Sequence, residues 1–496
     1  MRGVTDEKAA SAGSLEARVR EASELLESLA ADASRLDALS PEDRRRFNKA
    51  LAQLFAPDSS TRRQRSKTKR RERKAVETAR EAAILDQAGI RALRRRPTAT
   101  TPNVFPPAED PQAAPEPPPA RDSGVEQHCY VCRTPFTELH HFYDQLCPSC
   151  AEFNFGKRTE LADLRGRVAL LTGGRVKIGY QAGLKLLRSG AHLVVTTRFP
   201  RDAAARYFEE PDHADWVDRL EIFGLDLRHT PSVEAFCRHM DATHDRLDFI
   251  ISNACQTVRR PPDFYAHMMA AERAAIAPSS DAVALVRQVP DLPVGGAFSA
   301  ELSQVPLLQE ELEARPDLFP AGLLDIDRQQ VDLRGRNSWR LLLAEVSTVE
   351  LLEVQLVNAI APFVLNARLK PLMMRTPGRE KHIVNVSAVE GQFYRRFKTT
   401  RHPHTNMAKA ALNMMTRTSA TDYHDDGIHM NSVDTGWVTD EDPIEITLRK
   451  REEMGFHPPL DAVDGGARIV DPIIGGINTG VHVWGQFLKD YQPADW

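Results

Sequence analysis

The chain has 496 residues, 42 % hydrophobic and 27 % charged, with 65 Lys+Arg against 69 Asp+Glu for a formal charge of −4. That balance excludes a global electrostatic pull toward nucleic acid or a lipid surface, so partners must be argued locally. No apolar run approaches the ~20 residues that cross a bilayer, and the opening MRGVTDEKAASAG lacks the apolar stretch of a signal peptide, so a cytoplasmic protein is the expectation.

Leu15, Val19, Ala22, Leu25, Leu26 and Leu29 recur at helical spacing. Ser40 as N-cap, Pro41 in the first turn and Asp43 facing back start a second helix, whose apolar face carries Phe47, Leu51 and Leu54. Residues 62–74, RRQRSKTKRRERK, hold nine basic residues and one acid. Such a run is a candidate nucleic-acid contact, with a solvated helix or tail as the simpler reading. Nine of the 33 prolines lie between Pro97 and Pro119, which predicts an extended spacer. The chain is therefore divided into a helical and basic region 1–96, a Pro-rich linker 97–124, a small module 125–160 and a large domain 161–496.

The module holds four of the six cysteines as Cys129-x2-Cys132 and Cys147-x2-Cys150, separated by fourteen residues. Two chelating knuckles with four thiolates match a structural, tetrahedral zinc with no open position for catalysis; iron on the same thiolates has the same geometry. His128, His140 and His141 are read as surface or supporting groups, not as ligands. A segment this small needs the metal to fold, so its expected work is to hold a docking surface for a protein partner beside the following domain.

From about Leu164 short β-branched runs alternate with helical segments: 167–172, 192–197, 220–226, 247–253, 382–387 and 427–433 read as strands. Six strands separated by helices predict an α/β fold with a doubly wound parallel sheet. Residues 256–350 interrupt the alternation after the fourth strand, and an insertion at the carboxyl end of a strand is placed to wall a ligand pocket.

The first strand runs directly into Thr172-Gly173-Gly174-Arg175-Val176-Lys177-Ile178-Gly179, followed by a helix. Glycines in such a turn let the backbone approach a diphosphate and aim the helix N-terminus at it. Arg198, nineteen residues past Gly179 at the end of the second strand, can pair with a 2′-phosphate where an acid would select the free ribose, so NADP(H) is favoured over NAD(H). Arg175 and Lys177 add positive charge at the same corner.

With these motifs in order, residues 164–496 resemble the short-chain dehydrogenase/reductase family. TGGRVKIG resembles its TGxxxGIG, Asp226-Leu227 its adenine-contacting acid after the third strand, and Ser252-Asn253-Ala254-Cys255 its NNAG. The resemblance implies that Asn358 is the helix asparagine, Ser387 the active-site serine and Lys409 the lysine that holds the cofactor ribose. It also places Val438 and Thr439 near the nicotinamide amide, and implies a homo-oligomer. Cys255 is expected to be a packed small residue.

Three departures bear on chemistry: Lys177 replaces the second loop glycine, Thr435 replaces a proline, and Thr405 stands where the family has its tyrosine, four residues before the lysine. A phenol gives or takes the substrate proton; threonine is far too weak an acid for that role, usually worth ~10²–10⁴-fold. Tyr394, His402 and His404 are the nearby alternatives, the histidines reading as surface residues and Tyr394 as a loop aromatic able to reach the pocket. Two functions follow: an NADP(H)-dependent oxidoreductase of a small carbonyl or alcohol with an altered proton donor, or a dinucleotide-binding scaffold or sensor with little catalysis.

Overall fold

In the computed structural model, residues 15–55, 59–94, 121–273, 285–287, 289, 299–325, 327–394 and 398–496 are described. The predicted spacer 97–119 and part of the insertion lie outside them. The chain forms two compact units, 1–81 and 82–496.

The first unit contains helices α1 (Leu15–Ala31) and α2 (Pro41–Phe55) and most of α3 (Ser59–Leu85). Ser40 caps α2 as the sequence predicts, its Oγ accepting the Asp43 N–H at 3.1 Å and donating to the Asp43 carboxylate at 2.7 Å. The basic run lies along α3, with residues 66–74 exposed.

In the second unit nine strands form one sheet: β3 (Val168–Thr172), β4 (His192–Thr197), β5 (Leu220–Gly224), β6 (Phe249–Ser252), β7 (Val286–Arg287), β8 (Lys381–Ser387), β9 (Ile428–Asp434), β10 (Phe487–Lys489) and β11 (Gln492–Ala494). Their order is β11-β10-β9-β8-β6-β3-β4-β5-β7, parallel except for the β10–β11 hairpin. Runs such as FIIS and VALLT are apolar without alternation because helices cover both faces. Two apolar cores result, one built on Leu171, Val195 and Ile473, the other on Leu170, Ile250 and Leu365. Chain order reverses between β3 and β6, which places a ligand crevice at their carboxyl ends. All six predicted strands are present; β7, β10 and β11 were not anticipated.

The expectation that no apolar run reaches membrane-spanning length is corrected by the continuous helical stretch Thr348–Met374, 27 residues long, which passes that test by length and composition. Half of its 18-residue apolar window is buried in the fold, and Leu365 and Leu369 join the second core.

Residues 121–159 form a hairpin of β1 (Arg121–His128) and β2 (Pro135–Leu139) and the helix α5 (Pro148–Thr159), whose N-cap is Cys147. Phe136, Leu139, Phe142, Tyr143 and Leu146 pack with Val438 and Leu460 of the large domain, and Ile178 of the glycine loop lies against the same cluster. Arg158 reaches Asp461 and Asp464 at 2.8 Å each, and the Tyr143 hydroxyl donates to Asp464.

Candidate dinucleotide cleft and active site

Gly173 takes φ +71, and a side chain there would meet Ala254 Cα at 2.8 Å; one at Gly179 would meet Asn253 Nδ2 and the Gly173 carbonyl at 2.3 Å each. Only glycines let the loop, the helix behind it and the end of β6 close this tightly. Asn253 fastens the arrangement, its Nδ2 donating to the Thr172 and Gly173 carbonyls at 3.1 Å each, while the Thr172 hydroxyl accepts the Ala254 N–H at 3.0 Å. Lys177, where the family has a glycine, takes a left-handed backbone, φ +54, a conformation that costs a side-chain-bearing residue about 1–2 kcal/mol. The cradle for a diphosphate is therefore preserved, and the residues fit a bound dinucleotide.

The insertion crowds this cradle. Lys177 Nζ lies 3.9 Å from the Asp327 carboxylate. Burial would lower its pKa, but Glu441, Asp327 and Asp325 outweigh that and hold it above its ordinary value. Arg175 is buried, donating to Asp202 at 2.6 Å and to Gln329 at 3.3 Å, so its charge is spent inside the fold. Arg198 donates to the Tyr265 hydroxyl at 2.7 Å and lies 4.6 Å from that ring's centroid, on helix α9 (Pro262–Arg273). Asp226 is buried and forked by Arg228, at 2.6 Å from Nη2, with Leu227 buried beside it. Tyr265 and Arg228 had no motif by which sequence reasoning could single them out.

Asn358 sits in a π-helical turn, Leu356–Ile360, a local widening frequent at functional sites. Its Oδ1 accepts the Gln256 N–H at 2.7 Å and its Nδ2 donates to the Gln256 carbonyl at 3.2 Å. Ser387 donates to the Lys409 carbonyl at 3.3 Å, and Lys409 Nζ donates to the Val386 carbonyl at 2.7 Å. Asn358 and Ser387, both expected at the pocket, hydrogen-bond backbone groups beside it, and Lys409 is buried with its ammonium on the strand end. Val438 is buried in the cluster under the cysteine module, and Thr439 donates to Glu441 at 2.7 Å. Cys255 is exposed, not packed.

Thr405 is buried near the start of the Pro403–Asp425 helix, and its hydroxyl has no hydrogen-bond partner among the described residues. Tyr394 is 91 % exposed and does not enter the pocket. The histidines are not surface residues: both are buried, His404 with Nε2 3.4 Å from Glu350 and His402 stacked on Trp339 at 3.8 Å and 3°. His402 holds φ +43 and its Nδ1–H donates to Asn406 Oδ1 at 3.1 Å. It lines a cavity of about 500 Å³ together with Trp339, Arg340, Glu390, Lys398, Thr399, Arg401, Asn406 and Asp442. Burial holds its imidazole below the ordinary pKa, so it is neutral at pH 7. A neutral ring whose Nδ1 carries the hydrogen presents a lone pair at Nε2.

The four cysteine sulfurs lie within 4.8 Å of one another, with Cys132 and Cys147 at 3.7 Å. Sulfurs each about 2.3 Å from a tetrahedral zinc stand roughly 3.8 Å apart, so the four residues fit that ion.

The family model for short chain dehydrogenase matches residues 167–274, and that for enoyl-(acyl carrier protein) reductase matches residues 339–453. The chain belongs to the short-chain dehydrogenase/reductase family, and residues 275–338, within the insertion, lie between the two matched segments. It is 30 % identical over 356 residues to uncharacterized protein R665 of Acanthamoeba polyphaga mimivirus, covering 70 % of this chain and 71 % of that one. Dehydrogenase/reductase SDR family member 13 of Bos taurus is 34 % identical over 105 residues, 20 % of this chain and 28 % of the relative. Among solved structures, a short chain dehydrogenase from Burkholderia cenocepacia in complex with NADP is 17 % identical, with TM-score 0.41, covering 66 % of this chain and 96 % of that one.

Proposed function

We propose that this chain is an NADP(H)-dependent oxidoreductase of a small carbonyl or alcohol in which His402, not a tyrosine, handles the substrate proton. The nicotinamide supplies or accepts the hydride when bound. Thr172, Gly173, Gly174, Lys177, Ile178 and Gly179 hold the diphosphate, Arg198 takes the 2′-phosphate, and Asp226 with Leu227 borders the adenine. Asn253 and Ala254 fix the loop, Asn358, Ser387 and Lys409 brace the strand end and helix, and Val438 with Thr439 flanks the nicotinamide. The observation that carries this reading is the strained, buried His402, oriented by Asn406 and Trp339 on the cavity wall three residues before Thr405. Its Nε2 acts as base when an alcohol is oxidised, and the imidazolium so formed is the acid for the reverse step. The test is turnover of a carbonyl and alcohol panel with NADPH and NADH. His402→Gln should lower kcat by about 10²–10⁴-fold with NADPH binding unchanged, and equal turnover in the variant rejects the role.

A second reading, a dinucleotide-responsive scaffold, is favoured by one specific observation: the Ser387 hydroxyl and one N–H of Lys409 are spent on backbone carbonyls. NADPH uptake with no oxidation across the panel, and a partner whose affinity changes with NADPH, would select it.

A further inference from the structure

At the edge of the sheet opposite the dinucleotide loop, three side chains distant in sequence converge. His192 opens β4, Glu221 is the second residue of β5, and His244 ends helix α8 (Thr230–Thr243). His192 Nε2 lies 2.7 Å and His244 Nε2 3.6 Å from the same oxygen of Glu221, Oε1, and all three ligand atoms lie within 4.8 Å of one another. Ligand atoms each about 2.0–2.1 Å from a tetrahedral zinc stand roughly 3.3 Å apart, a spacing that these two distances bracket.

The tautomer of His244 adds an independent argument. The Thr243 hydroxyl spends its one hydrogen on the His239 carbonyl at 2.8 Å, so its 3.0 Å contact with His244 Nδ1 requires the ring to donate there. His244 therefore turns the lone pair of Nε2 toward the carboxylate oxygen. Two acceptors facing each other need a cation between them, either a proton on Nε2 or a metal ion. Anchoring the other ring N–H on an oxygen acceptor is also how proteins orient histidine ligands. The other oxygen of Glu221, Oε2, has the Arg287 guanidinium at 3.6 Å, which leaves Oε1 as a monodentate ligand. The side chains keep 32 %, 20 % and 12 % exposure for His192, Glu221 and His244, so solvent reaches the position that three protein ligands leave open.

We propose that His192, Glu221 and His244 form a site for a divalent transition-metal ion, zinc being the best match to two imidazoles and one carboxylate, separate from the four cysteines. The ion would join the amino ends of β4 and β5 and the turn into β6.

The test titrates Co²⁺ into the full-length chain whose cysteine site is already loaded with zinc. One equivalent is expected, with the weak visible bands of nitrogen and oxygen ligands and no thiolate charge-transfer absorption. His192→Ala and Glu221→Gln should each abolish that uptake while the zinc held by the cysteines, measured by elemental analysis, stays at one per chain, which also reports that the variants are folded. A wild-type chain that takes up no cobalt, cobalt absorption of thiolate character only, or uptake unchanged in both variants overturns the proposal. In the first case the cation on His244 is a proton.

Discussion

Tyr130 stands between Cys129 and Cys132, and its hydroxyl accepts the backbone N–H of Trp437 at 2.9 Å. Trp437 precedes Val438 and Thr439, so a residue of the cysteine knuckle fixes the backbone of the segment assigned to the nicotinamide end of the cleft. Ile178 of the glycine loop rests on the same cluster. Cysteine geometry and dinucleotide affinity are expected to move together. Tyr130→Phe removes one hydrogen bond, about 0.5–1.5 kcal/mol, and should weaken NADPH binding by about 2–10-fold. Cys129→Ser with Cys147→Ser should weaken it further. Quenching of protein fluorescence by NADPH measures both, and unchanged affinity in the cysteine variant would detach the module from the cleft.

The proposed cofactor preference rests on Arg198, which pairs with Tyr265. A guanidinium held against an aromatic hydroxyl keeps most of its five donors for a phosphate. Arg198→Ala should lose charge-assisted bonds worth about 1.5–3 kcal/mol, lowering NADPH affinity by about 10–100-fold and leaving NADH affinity within about twofold. Tyr265→Phe should have a smaller effect of the same sign. Parallel titrations with the two coenzymes decide it; equal losses for both would place Arg198 outside the 2′-phosphate site.

The contact between Lys177 and Asp327 sets insertion against cofactor. A carboxylate 3.9 Å from the ammonium occupies the charge that a diphosphate would use. Asp327→Ala is expected to tighten NADPH binding several-fold, and Lys177→Gly to raise stability by about 1 kcal/mol through relief of the left-handed backbone, a Tm increase of roughly 2–4 °C. Calorimetry and nucleotide titration read the two effects separately.

The ordered motifs were legible because each depends on neighbours in sequence: a glycine turn between a strand and a helix, a serine at a strand end, two cysteine knuckles. Most of what escaped depends on contacts between residues distant in sequence, above all those of the insertion. His402 and His404 read as surface residues until Trp339 and Glu350, 63 and 54 positions earlier by the numbering, close over them. Tyr265 meets Arg198 across 67 residues, and Glu221 is 29 residues from His192. A 95-residue insertion has no periodicity that says where it folds back, so every contact it makes was invisible. The terminal hairpin of β10 and β11, three residues per strand, is too short for an alternation pattern to register.

Leu352, Ile360 and Phe363 on the Thr348–Met374 stretch, and Met407 and Met414 on the Pro403–Asp425 helix, are 45–58 % exposed. The two helical stretches pack on each other through Val354, Ala359 and Ala408. Apolar side chains this exposed on adjoining helices are expected to be covered by a second copy of the chain. Light scattering should give a dimer for the wild type and a monomer for Phe363→Glu with Met414→Glu; a monomeric wild type refutes it.

His382, His429 and His482 form a cluster that is expected to make the fold acid-sensitive. His382 Nε2 and His482 Nδ1 are 3.0 Å apart, and the His429 and His482 rings stack at 4.8 Å. Burial, reinforced by the other two rings, holds His382 far below the ordinary histidine pKa; burial takes His429 to about 4 and also lowers His482. The charged neighbours do not reverse this: Glu380 opposes the shift at His482, whereas Arg167 and Arg379 favour neutral rings. Folded values lie below the unfolded value of about 6.5, so between them the unfolded chain binds more protons than the folded one. Stability should be full above pH about 6.5 and fall steadily as the pH drops toward about 4, where His429 is protonated in both states. Urea midpoints between pH about 8 and about 4.5 should decline along this course, and His382→Asn with His429→Asn should flatten the decline. An undiminished slope in that variant would assign the acid sensitivity to carboxylates instead.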